Sequence, residues 1–199
     1  MRKVALALLL IAAACGTGDN VVVGGFSETT VTPLIQFDNI RSVISGRARL
    51  FDTSAPTPQP TGESQVIIMS DRAQLCDRLK QYPDYFRHPP EPYLALILFL
   101  PATNHLGTFM PGRTGDEGTD SEIIGIKDIT KVYPFKALKL GGYYISLRDW
   151  SDQAGGEANG SFNLAYVLPP EITTSSVAFG AYGKFKSSVC PTLDGTLLP

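Results

Sequence analysis

The residues able to do chemistry are few, and their spacing excludes more than it offers. Two histidines, His88 and His105, are the whole imidazole inventory of the 199-residue chain. Neither sits in a recognisable catalytic motif. No G-x-S-x-G nucleophile elbow, H-E-x-x-H zinc helix, P-loop or dinucleotide fingerprint occurs. A serine-type triad would have to recruit one of the two histidines from isolation. Cys76 and Cys190 lack a CxxC partner or an adjacent His, which speaks against redox catalysis and zinc. Asp116, Glu117, Asp120 and Glu122 form an acidic group in a Gly-rich stretch. They are hard oxygen donors of the kind calcium takes, but the alternate-position EF-hand spacing is missing, and a solvated acidic loop is the expectation. Paired carboxylates of the glycosidase type leave no local signature, because their pairing is spatial. The expectation is therefore no catalytic residue, no metal and no cofactor.

Cys15 is different, because its neighbourhood is a pattern. Arg2 and Lys3 give a cationic start, Val4 to Ile11 an unbroken apolar run, and Ala12, Ala13 and Ala14 lead directly into Cys15. That is the layout of a secretory signal peptide. The apolar core is too short for a permanent span, which needs about 20 residues. Small residues followed at once by Cys resemble the lipobox of bacterial lipoproteins, in which Cys15 would be acylated, palmitate included, and become the new N-terminus. Ala12 stands where the family most often has Leu, and Ala12-x-Ala14 also satisfies the rule for soluble export. Under the resemblance, Gly16 after the lipidated Cys15 implies the outer membrane of a cell envelope. Each buried methylene contributes about 0.8 kcal/mol and stable attachment needs more than one chain, which the family's several acyl groups supply.

The resemblance accounts for Cys15 and leaves Cys76 and Cys190 as a pair in an oxidising compartment, where a disulfide is expected. A loop of more than a hundred residues would contribute about 4.7 kcal/mol in the chain-entropy view. Two buried free thiols acting as small hydrophobes are the alternative.

The elements that must position these residues are mostly strands. The apolar fraction of 43%, the aromatic fraction of 10% and 19 Gly with 15 Pro suit a turn-rich β domain. The net charge of -2 shows no basic stripe, so a nucleic-acid partner is excluded. Residues 1–14 read as signal peptide, 15–30 as a lipid-anchored tether running into a first strand at Val21-Val22-Val23, and 31–199 as one domain.

Val31 to Phe37 is a strand candidate with an edge-marking Pro33. Val43 to Phe51 alternates, with Ile44, Ala48 and Leu50 inward and Ser45, Arg47 and Arg49 outward, as a half-buried strand. Asp52 to Ser64, carrying Pro56, Pro58 and Pro60, reads as a long mobile loop. After a short strand at Gln65 to Met69, Ser70 or Asp71 is the expected helix cap, and Asp71 with Gln74 has capping-box spacing. Leu75, Cys76, Leu79 and Tyr82 then mark one helix face, which Pro83 ends. A βαβ crossover is one reading, although the alternation does not repeat.

Tyr85 to Tyr93 reads as a polyproline-like strap holding His88. Tyr93 to Leu100 is a strand buried on both faces. Thr103 to Glu122 is expected to be a long polar loop. Short strands at Ile123 to Ile126 and Ile129 to Tyr133 precede a hairpin of Tyr143 to Trp150 with Ser161 to Leu168. A last strand, Val177 to Phe185, leads to Cys190.

The fold class is mainly β: a β-sandwich or partly open barrel with one packed helix, a mixed α+β sheet being the alternative. The function expected is that of a cell-envelope lipoprotein, a non-catalytic binding or structural module. It would attach to the membrane through its lipid and meet an envelope protein, glycan or lipid through the loops at 52–64 and 103–122. The alternative is an envelope hydrolase with spatially assembled carboxylates.

Overall fold

A computed structural model describes residues 21–26, 40–52, 59–86, 88–102, 106–113, 116–128, 131–132, 139–167, 178–196 and 198. Among the described residues the chain is mainly β with one α-helix, and ten strands occur in order: β1 Val21–Phe26, β2 Ser42–Asp52, β3 Gln59–Ser70, β4 Tyr93–Pro101, β5 Gly107–Phe109, β6 Asp120–Asp128, β7 Lys131–Val132, β8 Lys139–Asp149, β9 Glu157–Val167 and β10 Ala178–Val189. Helix α1, Leu75–Gln81, lies between β3 and β4, and a 3-10 helix, Pro191–Gly195, follows β10.

The strands form one sheet ordered β5-β8-β9-β10-β2-β3-β4-β6-β7, with β1 added to β10. Every pairing is antiparallel except β10 with β2, which joins Ser188 to Ile44 and Val189 to Ser45 in parallel and makes the sheet mixed. β3 and β4 pair antiparallel, so α1 links adjacent antiparallel strands and the βαβ crossover does not form.

The sheet folds over on itself because two of its stretches have apolar inner faces. Val43, Ile67, Met69, Leu96, Leu98 and Leu100 of β2, β3 and β4 share one core with Phe109, Ile145, Leu147, Phe162, Leu164 and Phe185 of β5, β8, β9 and β10. This is the sandwich interior. A glycine is required within it. A Cβ on Gly160 would lie 2.8 Å from Phe185 Cζ and collide with the Ser146 carbonyl, so only glycine lets that ring cross the strand.

β3 and β4 are buried a second time, on their other side. Ile44, Ala48, Val66, Ile68, Ala95, Ile97 and Phe99 face outward from the sandwich into a second core with Leu75, Leu79, Tyr85, Phe86, Tyr93, Cys190, Leu193 and Leu198. Helix, strap and C-terminal segment together cap this half of the sheet. Fully burying one such side chain contributes about 1.5–3 kcal/mol, so the continuous apolar run of β4 is used on both faces. The same cap makes the start of β2 doubly buried rather than half-buried: Val43, Ile44 and Ser45 are all buried.

Several expectations change in detail. The Pro-rich segment is not a loop throughout. β2 runs to Asp52 and β3 starts at Gln59, with a bulge at Leu50/Phe51. Pro60 is tolerated because β3 there pairs only with β2, β4 joining it from Ser64 onward. Within the polar stretch 103–122, Phe109 is fully buried and pairs with Ile145, and β6 begins at Asp120.

The helix starts at Leu75 with Gln74 in the left-handed region, φ 56, and the capping box does not form. Asp71 instead accepts from the Leu94 amide at 2.8 Å. The Leu75 amide donates to Ser42 Oγ at 3.3 Å, so the cap comes from a neighbouring strand. Val21–Phe26, expected to lie within the 15–30 stretch as the start of a first strand, pairs with β10 and belongs to the sheet; residues 1–20 lie outside the described residues. The strand candidate Val31 to Phe37, Pro56 and Pro58 lie outside the described residues.

Candidate functional site

Cys76 on α1 and Cys190 at the end of β10 are joined, with Cα atoms 5.6 Å apart and a sequence separation of 114. The bridge fastens the cap to the sheet at the point where β10 stops. Cys190 N–H donates to the Ser45 carbonyl at 2.8 Å, and the chain then turns into the 3-10 helix over β2. Contact there is close enough that a Cβ on Gly46 would lie 3.0 Å from the Cys190 carbonyl oxygen and 3.1 Å from Leu193 Cδ1.

Because β10 ends at Val189 while β2 continues to Asp52, the sheet splits open beyond their short parallel pairing. A cleft of about 350 Å³ occupies the split. Its walls are Gly46, Ala48, Val189, Cys190 and Pro191, and its charged lining is Arg47, Arg49, Glu63, Asp152 and Asp194.

Arg47 Nε lies 3.0 Å from Asp152 Oδ2, and Arg49 Nε lies 3.3 Å from Asp194 Oδ1. All four side chains are between 37% and 60% exposed. Ion pairs so placed contribute only about 0–1 kcal/mol each. Their value to the fold is small, and a ligand carrying its own carboxylate or ammonium can replace either partner at little cost.

Behind Arg47 the sandwich interior turns polar. Ser45, Gln65 and Ser187 are buried on the same side as Val43, Ile67 and Phe185. Ser187 Oγ donates to the Ala158 carbonyl at 3.1 Å. Arg47, paired in register with Gln65, stands at the rim of this polar end.

The other residues singled out from the sequence lie elsewhere. His88 is exposed, its Nδ1 lying 3.0 Å from Oδ2 of Asp84, four residues before it in the turn that follows α1. The strap beside it is anchored by aromatics rather than by proline geometry alone. Tyr85, Phe86 and Tyr93 pack with ring centroids 5.3–5.7 Å apart, Tyr93 Oη donates to the Phe86 carbonyl at 2.9 Å, and Arg78 pairs with Glu91. Burial, opposed by Arg78 and Arg72 and aided by Asp71, raises the Tyr85 phenol above its ordinary 10.0.

In the acidic loop Asp116 is buried and organises the turn, its Oδ2 accepting from the Met110 amide at 2.9 Å. The side chains of Glu117 and Asp120 are exposed, and that of Glu122 lies outside the described residues. Among the described residues no group of three His, Cys, Asp or Glu is placed to hold a metal. Cys15 and His105 lie outside the described residues.

The cleft was not legible as a site. Arg47 and Arg49 stand out in sequence only as alternate polar positions on a strand. The partner of Arg47 lies 105 residues away, so no local signal joins them. Comparisons with protein-family models, with curated proteins and with solved structures return no match.

Proposed function

We propose that this chain is a bacterial cell-envelope lipoprotein, held by acyl groups on Cys15, whose β domain is a binding module rather than an enzyme. The observation that carries the binding reading is the cleft where β2 outruns β10. It presents two arginines and three carboxylates, with Arg47, Arg49 and Glu63 on strands β2 and β3, Asp152 on the β8–β9 connection and Asp194 on the C-terminal 3-10 helix.

Small-molecule pockets range from about 300 to 1,000 Å³ and are mostly apolar. This one falls at the lower bound in size and is rich in charge, which suits a ligand bearing charges of both signs. A glycosidase-type hydrolase would need two carboxylates facing a common bond. Asp152 and Asp194 each face a guanidinium instead, so charge recognition is the better fit. The Cys76–Cys190 bridge supports the envelope half of the reading, since disulfides persist in oxidising compartments.

Two measurements test the halves separately. Cys15→Ser should abolish detergent-phase partitioning and fatty-acid labelling; unchanged partitioning overturns the anchor. A photo-crosslinking residue placed at Glu63 in the cleft should give an envelope-specific adduct that Arg49→Glu removes. The same reporter at Lys80, on the cap, should not. Equal adducts at both positions would overturn the cleft as the binding site.

A further inference from the structure

We infer that the outer face of β8, β9 and β10 lies against the lipid leaflet that holds the anchor. This rests on the lipoprotein reading and adds an orientation to it. In the register of these strands Tyr144 pairs with Asn163, and Asn163 pairs with Tyr182. The three form one row across the sheet on the side away from the core, with the two tyrosines two strand spacings, about 10 Å, apart. Tyr144 is 50% exposed and Tyr182 55% exposed. The next row is Ser146, Ser161 and Lys184. Beyond it lie Arg148, Asp149, Asn159, Lys186 and Glu157, with Lys186 and Glu157 paired at 3.3 Å.

Tyrosine suits a membrane interface, its ring entering the headgroup region while the hydroxyl stays wet. Serine, asparagine and lysine around it can meet headgroups. An unpaired row of two half-exposed aromatics is too small for a stable protein interface, which needs about 800 Å² a side. It is sufficient for a surface already held nearby by lipid.

The length of chain decides which face is held nearby. Val21, the first residue of β1, pairs with Lys184 of β10. Between Cys15 and Val21 there are five residues, Gly16 to Asn20. Six residue steps reach at most about 20 Å even when fully extended. The inner face of β10, with Ala181 and Phe185, is core. The outer face of β2, β3 and β4 is covered by α1, the strap and the C-terminal segment. Val23 of β1 pairs directly with Tyr182, so among the described residues the open sheet face next to the start of β1 is the Tyr144–Asn163–Tyr182 face.

The test uses the full acylated chain in vesicles of phosphatidylethanolamine and phosphatidylglycerol, with or without a brominated phosphatidylcholine as quencher. In a Trp150→Phe background, Tyr144→Trp and Tyr182→Trp should each lose much of their emission to brominated lipid. Tyr82→Trp, on the capped side, should lose little. Equal quenching at all three positions, or quenching only at Tyr82→Trp, overturns the orientation. If the chain recovered from cells carries no acyl group, the anchor reading fails and the orientation falls with it. Acylated protein with unquenched Tyr144→Trp and Tyr182→Trp reporters overturns the orientation alone.

Discussion

The two outer faces of this folded-over sheet are treated in opposite ways. The β2-β3-β4 half is covered: α1, the aromatic strap and the C-terminal segment bury Val66, Ile68, Ile97 and Phe99 completely or nearly so, and the Cys76–Cys190 bridge fastens the cover. Among the described residues nothing covers the β8-β9-β10 half, which shows alternating polar residues and two exposed tyrosines. Sequence pattern accounts for the difference. β4 is apolar at nearly every position and must be buried twice, whereas β8 and β9 alternate and have only one face to bury. Stability is therefore concentrated on the covered half and the shared interior, which leaves the bare face free to be shaped by contacts outside the molecule.

The sharpest way to break that contrast is to unfasten the cover. Replacing both Cys76 and Cys190 by Ser removes a closure spanning 114 residues, and the chain-entropy view places the loss at about 4–5 kcal/mol. The urea midpoint should fall accordingly. Amide exchange should show α1 and the strap losing protection first, while β8 and β9 retain theirs. Equal loss in both halves would mean that the two faces are one cooperative unit.

A smaller blow to the same side is Leu79→Ala. Leu79 is fully buried between helix and sheet, and truncating it should cost about 2–5 kcal/mol, depending on how far the cap closes the gap. The measurement is again chemical unfolding.

Alkali should probe the cover as well. Burial lifts the Tyr85 phenol above 10.0 in the folded chain, so the unfolded chain releases that proton first as pH rises. The stability linked to Tyr85 is intact below pH 10 and is lost as pH climbs from there through the raised folded value. A Tyr85→Phe variant should show a flatter fall of melting temperature above pH 10 than the parent chain. An identical fall in both would place the sensitivity elsewhere.

How much of this was legible follows from how local each signal is. The doubly buried β4 could be read from Tyr93 to Leu100, because eight apolar residues between prolines have few other fates. The β8–β9 hairpin could be read from the alternation of Ile145, Leu147, Phe162 and Leu164. The Cys76–Cys190 bridge was expected because the lipobox resemblance set Cys15 aside, and it is present. The helix start was misplaced because Ser42, thirty-three residues away, supplies the cap in place of Asp71. The polar stretch 103–122 hid β5 because its one buried residue, Phe109, is a single apolar position without periodicity. The cleft was invisible for the same reason on a larger scale. It exists only because β10 stops beside Ser45, and its charges come from β2, β3, the β8–β9 connection and the C-terminal 3-10 helix.

The bare face should respond least in stability and most in location. Tyr144→Ser and Tyr182→Ser remove half-exposed rings that contribute nothing to either core, so each should change unfolding free energy by no more than about 0.5 kcal/mol. The double variant should fold, keep its disulfide and keep its acyl anchor. Its vesicle-bound form should nevertheless expose the face: limited proteolysis of the β8–β9 connection at 150–156, shielded in the parent chain on vesicles, should become as fast as in detergent. A large loss of stability would instead show that the tyrosines brace the sheet, and the division between a fastened face and a free one would have to be redrawn through β9 rather than between the two halves.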